Sequence, residues 1–221
     1  MSTSLPLRPD SPANRKLYED MAAGLATQGY AIVANALPAG LPDTLLSHVK
    51  SLDPAAFRPA GIGRAHDHQL DRSVRGDSIH WLDNNDDAVR RYLAWTENLR
   101  LELNRRLFLG LFDYECHYAY YPPGAFYKRH VDAFKGDANR VVTTALYLNP
   151  QWTPQDGGEL LLYPADGDVP IARIPPEYGT MVLFLSEDFP HEVATAHQPR
   201  YSISGWFRIN NTVGNTIDPP R

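Results

Sequence analysis

The chain has 221 residues, 43% of them hydrophobic, which suits one β-rich domain with a sizeable core. A formal net charge of −5 argues against a general nucleic-acid binder, which needs a basic face. No stretch approaches 18 uninterrupted apolar residues, so no membrane-spanning helix is expected, and a single cysteine, Cys116, precludes an internal disulfide and suits a reducing cytosol.

Ser11-Pro12 reads as a helix cap followed by proline at the first helical position. Leu17, Met21 and Leu25 form one stripe, and Gly29 is a stop. Tyr30 to Ala34 reads as a short strand. Asp43 can cap a second helix through about Leu52, with Leu45, Leu46 and Val49 turned inward. Residues 54–80, with Gly61, Gly63 and Gly76, lack periodicity, and a loop of that length is uncommon unless functional or disordered. Its Arg64, Arg72 and Arg75 lie among Asp67, Asp71 and Asp77, a mixed-charge loop and not a phosphate track. A third helix is expected from Asp87 to Leu109, with Val89, Tyr92, Leu93, Leu99, Leu103 and Leu107 at helical spacing. From Tyr114 the pattern changes to short strands, at 114–121, 125–131, 141–148, 158–163, 179–185, 190–195 and 200–208. Cys116 falls within the first of these, as a small buried hydrophobe. Nineteen prolines exceed the average of about 5% and fit many turns. The expected class is mostly β with supporting helices, arranged as a jelly roll. The first fourteen residues carry neither a basic n-region nor an apolar h-region, so no secretory signal and a cytoplasmic location are expected, and the ends, 1–10 and 209–221, are polar or proline-containing.

One constellation specifies a chemistry. His130 and Asp132 stand two apart, so on a strand both project to one face, and His191 on a later strand completes two imidazoles and one carboxylate. Three such ligands leave open positions, the pattern of non-haem Fe(II) oxygenases. Arg200 follows the third ligand and can bind a carboxylate through two parallel hydrogen bonds.

The run from Tyr121-Tyr-Pro-Pro-Gly124 through Tyr147-Leu148-Asn149, Gly157-Gly158-Glu159-Leu160, Phe189-Pro190-His191-Glu192-Val193 and Arg200-Tyr201-Ser202-Ile203-Ser204 resembles the 2-oxoglutarate- and Fe(II)-dependent prolyl hydroxylases. Within them it most resembles the hypoxia-inducible-factor enzymes and their bacterial relatives, and Val74-Arg75-Gly76-Asp77-Ser78-Ile79-His80-Trp81 extends the likeness upstream. The resemblance implies a double-stranded β-helix core at 113–208, a helical support with a substrate loop at 11–112 and a polar tail at 209–221, all in one domain. It implies Fe(II) on His130, Asp132 and His191, with 2-oxoglutarate and O₂ as co-substrates and ascorbate as a further candidate. Arg200 and Tyr147 would hold the far carboxylate of 2-oxoglutarate, Tyr121 would hydrogen-bond near the iron, and Leu160, Ser204 and Trp206 would line the co-substrate pocket. Arg75, Asp77, Trp81 and Arg140 fall at substrate-binding positions, with Asp77 and Arg140 as an ion pair tying the loop to the barrel.

The implied activity is hydroxylation of a prolyl residue, at C4, in an intracellular protein, with elongation factor Tu as candidate substrate. Neither nucleic acid nor membrane is an expected partner, and the protein is expected to be a monomer. Two other readings stand beside this one: hydroxylation of a free amino acid or small metabolite, and a silent metal-binding sensor on the same barrel. Ala133-Phe134-Lys135 departs from the family's chemistry after the histidine–aspartate motif. His66 and His68 flank Asp67 without a downstream third ligand, and read as solvated side chains; His80 and His117 read as structural, and His48 and His197 carry no signal.

Overall fold

The structure, a computed structural model, describes residues 12–61, 71–133 and 139–210. Arg64, His66, Asp67 and His68 lie outside the described residues, as do Phe134 and Lys135. Three helices, α1 (Pro12–Gln28), α2 (Leu41–Ser51) and α3 (Asp87–Leu107), carry apolar residues at three- and four-residue intervals. Tyr18, Met21 and Leu25 of α1, Leu41, Leu45 and Val49 of α2, and Tyr92, Leu99 and Leu103 of α3 are all buried. They pack in one cluster with Cys116, Tyr118, Leu146, Ile203 and Phe207 from the strands. Burial pushes the Cys116 thiol well above its ordinary range, as expected of an inert core residue.

Eleven strands form two sheets. They are β1 (Tyr30–Val33), β2 (Arg58–Pro59), β3 (Ser78–Trp81), β4 (Asp113–Tyr121), β5 (Tyr127–His130), β6 (Arg140–Tyr147), β7 (Leu160–Leu162), β8 (Ala172–Ile174), β9 (Met181–Leu185), β10 (His191–Val193) and β11 (Arg200–Arg208). The larger sheet runs β1-β9-β6-β11-β4-β3-β2 and the smaller β5-β10-β7-β8, with antiparallel pairing throughout. Two facing antiparallel sheets of this kind are the double-stranded β-helix, or jelly roll.

Side-chain alternation divides the large sheet's residues between two cores. Tyr118, Leu146, Leu183, Ile203 and Phe207 face the helices, whereas Ala119, Tyr121, Tyr147, Val182 and Phe184 join Leu160, Leu162 and Val193 between the sheets. The site opens from this second core.

Several boundaries differ from expectation. The N-cap of α2 is Gly40 at φ 80°, with Pro42 and Asp43 inside the first turn, so Asp43 favours the helix N-terminus without capping it. Helix α3 is capped by Asp86, whose side chain accepts from the Ala88 and Val89 amides, and it stops two residues earlier than Leu109. The 54–80 stretch is not one loop. It holds a 3₁₀ turn at Pro54–Ala56 together with β2 and β3. Val74 to Gly76 runs beside β5, with Lys128 N donating to Val74 O at 2.8 Å and Gly76 N to Phe126 O at 2.9 Å. At Asp77 the chain leaves the smaller sheet, and β3 pairs with β4 in the larger one.

Candidate active site

His130 ends β5 and His191 begins β10, and the two are directly paired across the ladder. Asp132 lies beyond the end of β5, in a bend, so the strand argument holds for His130 and fails for its partner. Side chains fix the carboxylate in its place. Its Oδ2 accepts from Thr143 Oγ1 at 2.8 Å and from Trp206 Nε1 at 2.9 Å, and Thr143 is hydrogen-bonded to buried Ser186 at 2.9 Å. Oδ1 lies 3.6 Å from His130 Nε2 and Oδ2 3.6 Å from His191 Nε2, so the carboxylate sits against both imidazoles.

The ligand atoms of His130, Asp132 and His191 lie within 4.8 Å of one another, the one group of at least three such side chains among the described residues. Each imidazole is held through Nδ1: His130 to Lys128 O at 2.8 Å and His191 to Phe189 O at 3.1 Å. A carbonyl only accepts, so each Nδ1 carries the hydrogen and each Nε2 lone pair points inward. Burial, reinforced by repulsion from His130, brings His191 down to about 4, leaving it neutral at pH 7. Burial opposes charge on Asp132, but His191, His130 and the Trp206 N–H outweigh it and hold the carboxyl well below the usual range. Two imidazoles that present Nε2 and one carboxylate, all directed inward, suit a divalent iron with open coordination positions.

Strand β11 builds the adjoining pocket. Arg200, Ser202, Ser204 and Trp206 alternate along one face, with Arg200 opposite Tyr121 and Ser202 opposite Tyr147. Arg200 is 2% exposed, its Nε donating to Gly158 O at 2.9 Å and Nη1 to Ser202 Oγ at 3.2 Å. Its guanidinium carbon lies 4.9 Å from the Tyr121 ring centroid and 5.1 Å from that of Tyr147. No carboxylate pairs with Arg200 among the described residues, a costly state for a buried cation. The Tyr147 hydroxyl beside it is buried with no hydrogen-bond partner among the described residues, and burial pushes it up to about 12 against the pull of Arg200. A guanidinium without an anion and a hydroxyl without an acceptor, side by side among the described residues, have the chemistry to hold a carboxylate. Gly158 makes the close approach possible: at φ 67°, a Cβ there would meet Arg200 Cδ at 3.0 Å.

The other expected site residues sort unevenly. Leu160 is buried in the cluster that holds Tyr121 and Tyr147. Tyr121 stands beside Arg200, and no hydrogen bond joins it to any of the three candidate ligands among the described residues. Trp206 belongs to Asp132 through its indole N–H. Trp81, 47% exposed, approaches Trp206 with ring centroids 6.4 Å apart. The expected Asp77–Arg140 pair is replaced by two separate ones. Asp77 is bound by Arg75 through two hydrogen bonds of 2.8 and 2.7 Å, whereas Arg140 lies on Glu115, with Nε 2.9 Å and Nη2 2.8 Å from Oε1. The long-range pair loses to local geometry, since Arg75 stands only two residues from Asp77 and reaches both of its carboxylate oxygens. His117 is buried, and burial brings it down to about 4, in keeping with a structural histidine. Sequence reasoning missed Tyr127, Thr143 and Ser186. The position of Tyr127, three residues before His130, was its one visible signal.

Fold and site together define a non-haem iron oxygenase. Residues 116–208 match the model of the 2OG-Fe(II) oxygenase superfamily. The chain is 30% identical to Prolyl hydroxylase EGLN3 of Mus musculus over 188 residues, covering 81% of this chain and 78% of that protein. It superposes on a Pseudomonas putida prolyl-4-hydroxylase at TM-score 0.78 and 42% identity, covering 87% of this chain and 98% of that one. A prolyl hydroxylase from Trichoplax adhaerens, solved with a hypoxia-inducible-factor oxygen degradation domain peptide fragment, gives TM-score 0.78 and 32% identity over 89% and 90% of the two chains. The chain belongs to the prolyl hydroxylases of the 2-oxoglutarate- and Fe(II)-dependent oxygenase superfamily.

Proposed function

We propose that this prolyl hydroxylase acts on a prolyl residue of a protein, adding its hydroxyl at C4, in the cytoplasm. The Trichoplax relative with its bound peptide supports a protein substrate, and the Pseudomonas prolyl-4-hydroxylase supports the ring position. Elongation factor Tu is the candidate substrate, on the strength of the likeness to bacterial members. His130, Asp132 and His191 hold Fe(II). When bound, the iron with 2-oxoglutarate and O₂ supplies the oxidation, in which the co-substrate leaves as succinate and CO₂ and one oxygen atom goes to the prolyl ring.

The chain's own residues orient the reactants and keep water out. Arg200 and Tyr147 bind the carboxylate farther from the metal, with Leu160 and Tyr121 shaping the pocket and Ser204 as a further wall residue. Trp81, Arg75, Asp77 and Arg140 belong to the face that receives the peptide. The carrying observation is a buried Arg200 without an acidic partner beside a Tyr147 hydroxyl without a hydrogen-bond partner, both among the described residues. The test is mass spectrometry of a proline-bearing elongation factor Tu peptide incubated with the enzyme, Fe(II) and O₂, with and without 2-oxoglutarate. A prolyl shift of about 16 Da that requires 2-oxoglutarate is the expected result. Succinate formation that leaves every tested peptide unmodified, yet rises with a free amino acid, would favour the small-molecule reading. No succinate under any condition would favour the silent sensor.

A further inference from the structure

Both members of the histidine–aspartate motif rest on the same kind of support. The His130 ring stacks on Tyr127, with centroids 3.6 Å apart and planes 16° from parallel. The other face of this layer carries Arg75, its guanidinium carbon 4.0 Å from the Tyr127 centroid. Arg75 is itself fixed by the fork onto Asp77, which is 4% exposed, and by Nη1 donating to Gly61 O at 3.1 Å. Asp132 accepts from the indole of Trp206, whose ring carries Arg140 at 3.7 Å. Arg140 is in turn fixed on Glu115, which is 5% exposed. Each series reads carboxylate, guanidinium, aromatic ring, metal ligand: Asp77–Arg75–Tyr127–His130 and Glu115–Arg140–Trp206–Asp132.

We propose that Arg75–Tyr127 and Arg140–Trp206 are positioning residues for the metal centre, holding His130 and Asp132 in the geometry that binds the divalent ion. An imidazole with one bond at Nδ1 can still swing about that bond, and a ring stacked on its face removes the swing. A phenol ring alone would leave the stack free to slide. A planar guanidinium attracted to the ring's negative face, and held at its edge by two carboxylate oxygens, stops the slide. The same reasoning covers Asp132, which leaves the strand ladder before it reaches the metal and takes its direction from Trp206. Arg75 and Arg140, on the peptide-receiving face, thereby also stand one ring away from the metal ligands, with Asp77 one link behind Arg75. A peptide that contacts either guanidinium would change metal affinity, and the metal would change peptide affinity by the same factor.

The inference rests on the iron-site reading, so the test uses the metal alone. Mn(II), redox-silent, is titrated into the metal-free full-length protein, and the melting temperature of the metal-free form is measured for each variant. Tyr127→Phe keeps the ring and should bind within about 3-fold of the parent, whereas Tyr127→Leu should bind roughly 10-fold more weakly or worse, at an unchanged metal-free melting temperature. Arg75→Met combined with Asp77→Asn, which avoids stranding a buried carboxylate, should lose a similar factor. Its effect should not add to that of Tyr127→Leu, because both break one support. Arg140→Met with Glu115→Gln should behave likewise against Trp206→Phe. Affinities within 2-fold of the parent in Tyr127→Leu and in both paired variants would overturn the proposal. Should a paired variant fail to fold, the contrast between Tyr127→Phe and Tyr127→Leu decides alone. Asp132→Ala separates the two readings: tight Mn(II) binding there would sink the iron site itself, not merely its supports.

Discussion

Replacing Arg200 by methionine removes the charge while keeping most of the side chain's length, and the structure assigns a small effect to the free protein and a large one to the loaded protein. In the free protein the guanidinium is 2% exposed, has no acidic partner among the described residues, and holds two hydrogen bonds, to Gly158 O and Ser202 Oγ. Losing those bonds costs about 1–3 kcal/mol, and removing a desolvated unpaired cation returns a similar amount, so the free protein should change by no more than about 2 kcal/mol. The loaded protein is different, because a co-substrate carboxylate would then be buried without its counter-charge, at a cost of roughly 3–5 kcal/mol. That weakens 2-oxoglutarate by about 10² to 10⁴-fold. Anaerobic titration of the Fe(II) enzyme measures the affinity. Thermal melts supply a second readout, since 2-oxoglutarate at 100 times its Kd stabilises the parent by about 2.7 kcal/mol and should leave the variant unmoved. A variant that keeps the parent's affinity, or its 2-oxoglutarate-dependent rise in melting temperature, would refute the assignment of Arg200.

Tyr147→Phe deletes a hydroxyl that has no partner among the described residues, so the free protein should be as stable as the parent or about 1 kcal/mol more stable, while calorimetric 2-oxoglutarate affinity falls about 5- to 10-fold; a stability loss with intact affinity would contradict this. His117 should give an acid limb to stability: its folded value of about 4 lies below the unfolded value near 6.5, so the unfolded chain takes up the proton first and stability falls as pH drops from about 6.5 to 4, by roughly 3 kcal/mol. Urea titrations across that range should show a shallower fall in His117→Gln, and parallel curves would exclude this source. Asp77→Asn and Arg140→Met, which break different ion pairs, should be additive in stability within about 0.5 kcal/mol, and a larger coupling in the double-mutant cycle would reinstate a direct pair.

The candidate site was legible in the sequence where the chemistry lies in residue identity and short spacing. A period of two along 200–208 is enough to align Arg200, Ser204 and Trp206, and the long strands β4, β6 and β11 follow from their alternation. Elements of two to four residues left little pattern: β2 includes Pro59, and β3 and β8 are no longer than a turn. Asp43 carried a true helix-start signal, read as the cap because the left-handed Gly40 that caps the helix offers no side chain to notice. Asp132 looked like a strand residue because the spacing says nothing about where a strand ends. Nor does the sequence reveal register across strands, and Thr143, opposite Trp206 on β6 and β11, reaches Asp132 only through that register. The partners of Arg75, Asp77, Glu115 and Arg140 depend on which of several charges the fold brings within about 4 Å, a quantity no single-chain pattern carries.

The two sheets secure their parts of the site by different physical means, and strand length explains the difference. β11 has nine residues and is paired with β4 along its whole length and with β6 over most of it, so backbone hydrogen bonds alone fix Arg200 and Trp206 about 20 Å apart along the strand. The imidazoles come from strands of four and three residues, and the ladder between them already shifts register after His191. Ladders that short leave a ring free to rotate on its own bond. It is on this sheet that Nδ1–carbonyl bonds, stacked Tyr127 and the Arg75–Asp77 fork gather around His130. Asp132, which belongs to neither sheet, is held by side chains of the larger one. The centre is therefore anchored to the rigid sheet through its carboxylate and to the shorter one through its imidazoles. A substitution in the large sheet at Thr143 or Trp206 should reach the metal as directly as one beside a histidine.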